Sequence, residues 1–173
     1  MILKKAVKKD FDRIKAFYLY VIENTETMKD CCRWIYGLHP DDGIISGYID
    51  SGELYYSERD GRIIAAIALT QRQGDDYHDI PWQKELADDE VSVGHLMCCD
   101  PGLKRQGLAK DLLKSVCALC RSLGKKAYRF DVLASNTPAQ ALYDSLGYKR
   151  ITVRHWYARN TGWTDFILYE VLL

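Results

Sequence analysis

Residues 91–113, VSVGHLMCCDPGLKRQGLAKDLL, form the stretch around which the rest of this sequence is organised. Its first half is an apolar run from Val91 to Cys99 that predicts a strand. Pro101 must end that strand, because proline has no amide hydrogen to donate to a sheet. Apolar residues at helical spacing follow from Leu108 onward. The stretch therefore predicts a strand, a short basic loop, and a helix that begins directly after the loop.

The loop between that strand and that helix, Lys104–Ala109 (KRQGLA), has the composition of an anion-binding site. The first N–H groups of a helix have no intrahelical acceptor, and the helix dipole adds partial positive charge at the same end. Gly107 leaves the backbone open to an anion. We therefore expect the loop to hold a diphosphate, although a glycine between basic residues also occurs in ordinary turns.

Two segments extend this pattern. Residues 96–109 read LMCCDPGLKRQGLA, and residues 136–148 read NTPAQALYDSLGY. Together they resemble the GNAT superfamily of acyl-CoA-dependent N-acyltransferases, whose phosphate loop reads (Gln/Arg)-x-x-Gly-x-(Gly/Ala). Lys104 departs from that pattern but still supplies a cation. The resemblance is specific from about Glu90 to Tyr148, and it implies transfer of an acetyl group from acetyl-CoA to a primary amine of a small molecule or peptide.

The whole sequence has the length of one domain with a well-buried core, and no composition shift divides residues 1–173. Lys plus Arg and Asp plus Glu number 24 each, so no net charge favours nucleic acid or an acidic membrane as a partner. No apolar run approaches the length of a membrane span, and the N-terminus becomes charged too early for a signal peptide. We therefore expect a cytoplasmic protein.

Hydrophobic patterns outside the central stretch predict the order β-α-α-β-β-β-α-β-α-β-β. The strands are expected over 2–7, 53–58, 62–70, 127–133, 148–157 and 166–172, and the other helices after Asp10, Asp41 and Thr137. This order is an α/β fold, a single-domain GNAT-like mixed β-sheet flanked by helices. In that fold the central strand and its neighbour diverge after a bulge, which implies a cleft in which the pantetheine arm pairs with Met97–Cys99.

Tyr143 and His95 are the candidate catalytic residues. By resemblance, Tyr143 faces the sulfur of the acyl donor, and a phenol with a pKa near ~10 can protonate a thiolate whose pKa is near ~8.5. His95 precedes the expected bulge, and histidine titrates in the range useful for a general base. A packed tyrosine, a structural histidine and a water relay to bulk solvent are the alternatives. The backbone N–H of Met97 is the expected oxyanion donor.

The resemblance also implies the other contacts. Cofactor-binding residues are expected at Met97, Cys98, Cys99, Lys104, Arg105, Gln106, Gly107, Leu108, Ala109, Lys110, Asn136 and Tyr143. The acceptor pocket is expected to use Trp34 and Tyr36 as walls, with Tyr77 and Trp82 as a lid from the long connection that precedes the central strand. Each of these aromatics could instead anchor its own loop. The 161–165 segment is a further candidate for the pocket rim.

Six cysteines allow a metal or redox interpretation, because Cys117 and Cys120 form a C-x-x-C. Both fall within the expected helix, where cysteine packs as a small apolar residue. Cys98 and Cys99 are neighbours on a strand and must point to opposite faces. We therefore expect packing cysteines and no metal.

Three other functions compete with acetyl transfer: transfer of a longer acyl group, CoA binding by a non-catalytic regulator, and a C-x-x-C metal or redox protein. A homodimer is compatible with the sequence.

Overall fold

A computed structural model describes residues 1–173. One seven-stranded sheet, in the order β1-β2-β3-β4-β5-β7-β6, forms its centre. The strands are β1 (Lys4–Lys5), β2 (Leu54–Arg59), β3 (Arg62–Thr70), β4 (Val91–Cys99), β5 (Ala127–Leu133), β6 (Lys149–Ala158) and β7 (Gly162–Leu172). The helices are α1 (Phe11–Asn24), α2 (Asp42–Asp50), α3 (Leu108–Ser122) and α4 (Thr137–Ser145). This mixed sheet with flanking helices confirms the predicted fold class and element order.

The stretch that organises the sequence forms the predicted strand, loop and helix. β4 ends at Cys99, before Pro101, and α3 begins at Leu108. Gly107 precedes α3 with φ of 76°, a left-handed conformation that glycine adopts without steric cost. The loop therefore leads into α3 with no side chain at the residue before the helix.

β4 and β5 run parallel and then separate. Their pairing extends from Val91↔Ala127 only to Gly94↔Phe130. β5 continues by pairing with β7, whereas the rest of β4 keeps only its β3 neighbour. A cleft therefore opens between the carboxyl-terminal halves of β4 and β5, as the sequence predicts.

A bulge in β4 lies at the start of this separation. On β3, Ala68 faces His95 and Ala66 faces Cys98, so the single residue between them faces both Leu96 and Met97. Leu96 has φ of 51°. The extra residue changes the direction of β4 where the cleft begins.

Two apolar layers cover the sheet. One layer packs α1 and α2 against one face and includes Cys98, and the other packs α3 and α4 against the opposite face and contacts Cys99. Cys117 and Cys120 of α3 are buried in the second layer. The placement of the four cysteines agrees with the predicted packing, including the opposite orientations of Cys98 and Cys99.

Three details of the sequence prediction are wrong. β1 covers two residues instead of 2–7, because only Lys4 and Lys5 pair with β2, and Ile2 is 80% exposed. Asp10 precedes α1, but its carboxylate accepts the N–H of Val7 at 3.0 Å and does not cap the helix. β7 begins at Gly162, four residues earlier than predicted, because the β6–β7 pairing continues to the turn.

The connection between β3 and β4 is anchored to the sheet. Arg129 and Glu170 are fully buried and form an ion pair at 2.8 Å. Arg129 also donates to the side chain of Gln73 and to the carbonyl of Lys84, both in this connection. None of the four helices combines the length and apolar composition that crossing a membrane requires.

Candidate functional site

The separation of β4 and β5 opens into a cleft of about 660 Å³. Its lining combines the β4 bulge, β5, the α1–α2 connection with α2, the β3–β4 connection, α4 with the residue before it, and the β6–β7 hairpin. Most of the lining residues are apolar or aromatic, and the charged or titratable ones besides cysteine and tyrosine are His39, Asp76, His95 and Asp131. A mostly apolar cleft with a few convergent polar groups is the usual form of a small-molecule site.

Leu96 and Met97 line the cleft at the bulge. Cys98 turns away into the α1 layer, and Cys99 packs on the α3 side. Beyond Gly94, β4 has no β5 neighbour, so its backbone groups on that side are available to an extended ligand. Among the three predicted cofactor contacts on β4, only Met97 lines the cleft with its side chain, and the two cysteines could contribute only through their backbones.

Tyr143 lies on α4. The centroid of its ring is 4.6 Å from that of Phe130 and 5.2 Å from that of Tyr169. The residue is 6% exposed and lines the cleft. Its hydroxyl makes no hydrogen bond within the protein and keeps some access to solvent. Burial raises the pKa of this phenol well above its ordinary value, so it stays protonated at neutral pH and can donate.

His95 lines the same cleft from β4 and stacks on Tyr48 of α2, with ring centroids 5.9 Å apart. Burial lowers the pKa of His95, and the negative charge of Asp131 opposes that effect. The imidazole is therefore neutral at physiological pH and able to accept a proton. Burial also raises the pKa of Tyr48 to about 12, so that ring is an uncharged neighbour.

Asp131 is a cleft residue that the sequence prediction missed. It lies on β5 just beyond the separation from β4 and accepts a hydrogen bond from the Tyr77 hydroxyl at 2.7 Å. Its charge affects the pKa of both His95 and His39. The available signal was an acidic residue in a mostly apolar strand, AYRFDVL, because a charged side chain in such a strand needs a partner or a polar surface.

The basic loop lies at the exposed start of α3. Lys104, Arg105, Gln106, Gly107 and Lys110 are exposed, Ala109 is half-buried and Leu108 anchors the helix in the core. A β-carbon on Gly107 would meet no atom within 4 Å, so the loop backbone faces open space. Open first-turn N–H groups beside several cations fit a diphosphate. Lys104 also lies 3.5 Å from the exposed Glu26, which places one cation near the end of α1.

Asn136 begins α4 and lines the cleft. Its side-chain oxygen accepts the N–H of Ala139 at 3.3 Å, and its amide nitrogen donates to the Cys32 sulfur at 3.4 Å. The first contact caps the helix. Burial raises the pKa of Cys32 to about 11, so this thiol is a neutral partner.

The segment that follows α1 crosses the mouth of the cleft. It contains a π-helical turn, Met28–Cys32, and reaches the other half of the molecule through three hydrogen bonds. Their acceptors are three consecutive residues: Cys31 O from Ser135 at 3.1 Å, Cys32 Sγ from Asn136, and Arg33 O from Asn160 at 2.7 Å. The cleft is thus bounded on one side by this segment and on the other by the β6–β7 hairpin.

Of the four predicted acceptor-pocket residues, two line the cleft and two do not. Trp34 and Tyr77 line the cleft. Tyr36 does not, because its hydroxyl donates to Asp42 at 2.6 Å. Trp82 does not line it either: it stacks on Tyr77, covers Arg129 at 4.3 Å and lines a separate cavity of about 440 Å³. The position of Trp82 fits the alternative interpretation of an anchor for its own loop, since its ring packs the connection against the sheet.

Several lining residues come from parts of the chain that carry no sequence signal for a site. These residues are His39, Tyr48, Trp156, Tyr157 and Asn160. The suggested rim at 161–165 contributes Thr161 and Trp163, and Trp163 is 68% exposed. They converge only because the β6–β7 hairpin reaches across the sheet to the α1–α2 connection.

The family model described as "Acetyltransferase (GNAT) family" matches residues 14–148. The [Ribosomal protein bS18]-alanine N-acetyltransferase of Haemophilus ducreyi is 39% identical over 104 residues, which are 60% of this chain and 60% of that protein. The chain thus matches less than two thirds of the length of this curated relative.

Solved structures share the fold across nearly the whole chain. An acetyltransferase of the GNAT family from Streptococcus agalactiae superposes with a TM-score of 0.76 at 15% identity, over 99% of this chain and 95% of that one. A Salmonella typhimurium protein, solved with its cofactor acetyl-CoA, gives a TM-score of 0.68 at 17% identity, over 100% of this chain and 94% of that one.

Proposed function

Because the chain belongs to the acetyltransferase (GNAT) family, we propose that it is an acetyl-CoA-dependent N-acetyltransferase that acts on a primary amine. The observation that carries the proposal is the convergence in one cleft of a strand bulge, a protonated tyrosine and a neutral histidine. Acyl transfer needs these three functions: a donor to the oxyanion, an acid for the leaving thiolate and a base for the amine.

Backbone N–H groups and cationic side chains bind the cofactor. The Lys104–Ala109 loop and the first turn of α3 bind the diphosphate through N–H groups, with Arg105 and Lys110 adding positive charge. The free side of β4 at Met97–Cys99 would hold the pantetheine arm, because its backbone groups there have no β5 neighbour. Asn136, at the start of α4, contacts an amide of that arm. When bound, acetyl-CoA supplies the activated acyl group.

Different residues of the cleft carry out the three functions that acyl transfer needs. The Met97 N–H donates to the acyl oxygen as negative charge develops there. Tyr143 gives its proton to the departing sulfur, because burial keeps the phenol protonated at neutral pH and the residue lines the cleft. His95 is kept neutral by burial and receives the proton of the amine.

The charge of the cleft favours an amine that arrives as an ammonium. Asp131 and Asp76 are its carboxylates, and both histidines are biased toward the neutral form by burial. Tyr48, Trp34 and Trp156 add aromatic faces that attract cations. Asp131 therefore anchors the ammonium close to His95, which removes its proton before attack.

A peptide amino terminus is the acceptor we favour among primary amines. The curated relatives are named for acetylation of the alanine of a ribosomal protein. The cleft opens beside exposed aromatic residues of the β6–β7 hairpin, Tyr157 and Trp163, which offer a surface to residues that follow the first one. A ribosomal protein as substrate would agree with the predicted cytoplasmic location. The homodimer stays a prediction.

An amine panel tests the activity and the acceptor class together. Thiol release from acetyl-CoA is measured with a peptide that carries a free amino-terminal alanine, the same peptide with a blocked terminus and a lysine, and small monoamines and polyamines. We expect release with the free-terminus peptide and a mass increase of one acetyl group on its first residue. Binding of acetyl-CoA without release from any amine would instead support the non-catalytic regulator. Parallel assays with longer acyl-CoA thioesters test the alternative donor.

A further inference from the structure

The backbone of β4 is strained at the bulge. Leu96 has φ of 51°, in the left-handed region that residues with a β-carbon rarely adopt. Such a conformation persists only where the surrounding structure holds it. Leu96 itself is 5% exposed and packs in the α1 layer, so its apolar side chain supplies part of that restraint.

A single side chain contacts the strained peptide through a hydrogen bond. Tyr18 of α1 is completely buried, and its hydroxyl donates to the Leu96 carbonyl at 2.9 Å. The rings of Phe17 and Trp34 lie 6.2 and 6.1 Å from the Tyr18 ring, which fixes its position in the layer. Burial raises the pKa of the Tyr18 phenol well above its ordinary value, so the hydroxyl stays protonated and able to donate at neutral pH.

This contact has a geometric consequence for the next amide. The peptide group that joins Leu96 to Met97 is planar, and in a trans peptide its C=O and N–H point in opposite directions. Because the Leu96 carbonyl is held toward α1, the Met97 N–H must point away from α1. Leu96 and Met97 both line the cleft, so the amide that joins them lies at the bulge in the cleft wall.

We propose that Tyr18 is a positioning residue for acetyl transfer: its hydroxyl fixes the Leu96–Met97 peptide so that the Met97 N–H faces the acyl oxygen. The inference rests on the proposed function. Without the hydroxyl, the Leu96 carbonyl is left buried with no partner, and the strained peptide can rotate toward ordinary strand geometry. The donor is then no longer aligned in advance, which weakens stabilisation of the developing charge.

The chain offers a direct spectroscopic test, because it has only three methionines, Met1, Met28 and Met97. Labelling with ¹⁵N-methionine gives two backbone amide signals, since the terminal amine is not observed, and Met28→Leu identifies which one is Met97. Acetyl-CoA is added to the wild type and to Tyr18→Phe. We expect the Met97 amide to move downfield in the wild type, as a new hydrogen bond forms, and to stay in place in the variant.

Turnover and binding are measured on the same proteins. Tyr18→Phe keeps the ring, so the KM for acetyl-CoA and the thermal shift that it causes should stay within about twofold. We expect kcat to fall at least about tenfold, which is less than the about 10²–10³-fold that removal of an oxyanion donor costs. Tyr56→Phe is the matched control, because Tyr56 is buried in the same layer and does not line the cleft. Tyr18→Leu also removes the hydroxyl and repeats the test if the phenylalanine variant does not fold.

Two results would overturn the inference: a Met97 amide that responds alike in the wild type and Tyr18→Phe, or one that does not respond in the wild type. A normal kcat in Tyr18→Phe would do the same. All three are distinct from a failure of the proposed function, in which the wild type itself binds no acetyl-CoA or releases no thiol with any amine.

Discussion

Tyr143 and His95 face the same cleft, and burial shifts their pKa values in opposite directions. It raises that of the phenol and lowers that of the imidazole, because both groups are disfavoured in their charged forms. A protonated acid and an unprotonated base therefore coexist at neutral pH. Divergent pKa values of neighbouring groups are how one site performs both proton transfers.

The first prediction concerns Tyr143→Phe. The ring and its packing on Phe130 remain, so acetyl-CoA should still raise the melting temperature by the wild-type amount. Turnover should fall by about 10²–10⁴-fold, because the general acid is lost. The control is Tyr169→Phe, a neighbouring hydroxyl that donates to Asp144 outside the cleft. Near-normal kcat with a substrate for which chemistry limits the rate would remove Tyr143 from the mechanism, and lost cofactor binding would make it a binding residue.

The second prediction concerns the pH dependence of kcat/KM. Because burial disfavours the imidazolium, His95 takes up a proton only below its ordinary pKa of 6.5, so kcat/KM should hold constant above that pH and decline below it. His95→Gln should lower kcat/KM and abolish this acidic limb. The comparison variant is Asp131→Asn, which should mainly raise the acceptor KM. An acidic limb that persists in His95→Gln and disappears in Asp131→Asn would identify Asp131 as the base.

At the scale of elements, the two ends of α3 have different surroundings. Its amino-terminal end follows Gly107 and faces open space between exposed cations. At its carboxyl-terminal end, after Gly124, Lys125 donates to backbone carbonyls and Lys126 pairs with Glu90. Both glycines have nearly the same left-handed φ, 76° and 75°. The two glycines therefore flank a fifteen-residue helix about 22 Å long, with similar backbone conformations and different proposed roles.

The third prediction uses this pair. Gly107→Glu and Gly124→Glu introduce the same strain and the same charge, so both should lose a similar amount of stability. Only Gly107→Glu should lose the rise in melting temperature with acetyl-CoA, because its carboxylate lies where the diphosphate binds and a ligand stabilises only the state that it binds. Differential scanning fluorimetry with and without acetyl-CoA measures both effects. An unchanged shift in a folded Gly107→Glu protein would place the diphosphate elsewhere.

At the scale of the molecule, one buried ion pair joins two strands of the sheet to the β3–β4 connection. Arg129 of β5 and Glu170 of β7 are essentially inaccessible to solvent. Glu170 also accepts the backbone N–H of Gln83 at 2.9 Å, so the pair ties the β3–β4 connection to two strands. Tyr77, which holds Asp131 in the cleft, lies in the same connection. Stability and the geometry of the acceptor side are therefore linked.

The fourth prediction is that Glu170→Gln destabilises the protein by about 3–5 kcal/mol, because the buried charge of Arg129 loses its partner. The control is Asp50→Asn, which removes a carboxylate that pairs with Lys8 at the surface and should change stability little. Denaturant unfolding followed by tryptophan fluorescence measures both. Equal stability of the two variants would show that Arg129 finds another acceptor, such as Gln73 or Lys84.

The sequence by itself determined the elements around β4 and the family to which they belong. Pro101 ends β4, Gly107 precedes α3, and Asp60–Gly61 forms the β2–β3 turn with positive φ at both residues. These features depend on residues close together in the chain, so their patterns carry the information. The split beside Met97 and the cleft position of Tyr143 followed from the family motifs for the same reason.

Only the tertiary structure decided which distant side chains meet in the cleft. Asp131, His39 and the β6–β7 hairpin enter it through strand pairing and chain crossings that no local pattern encodes. Tyr36 and Trp82 lie outside the cleft for the same reason, since each contacts a partner, Asp42 or Arg129, that the spacing of residues cannot reveal. The strain at Leu96 and its contact with Tyr18, 78 residues away, likewise arise from packing α1 on the bulge, because a backbone conformation of this kind exists only where distant groups hold it.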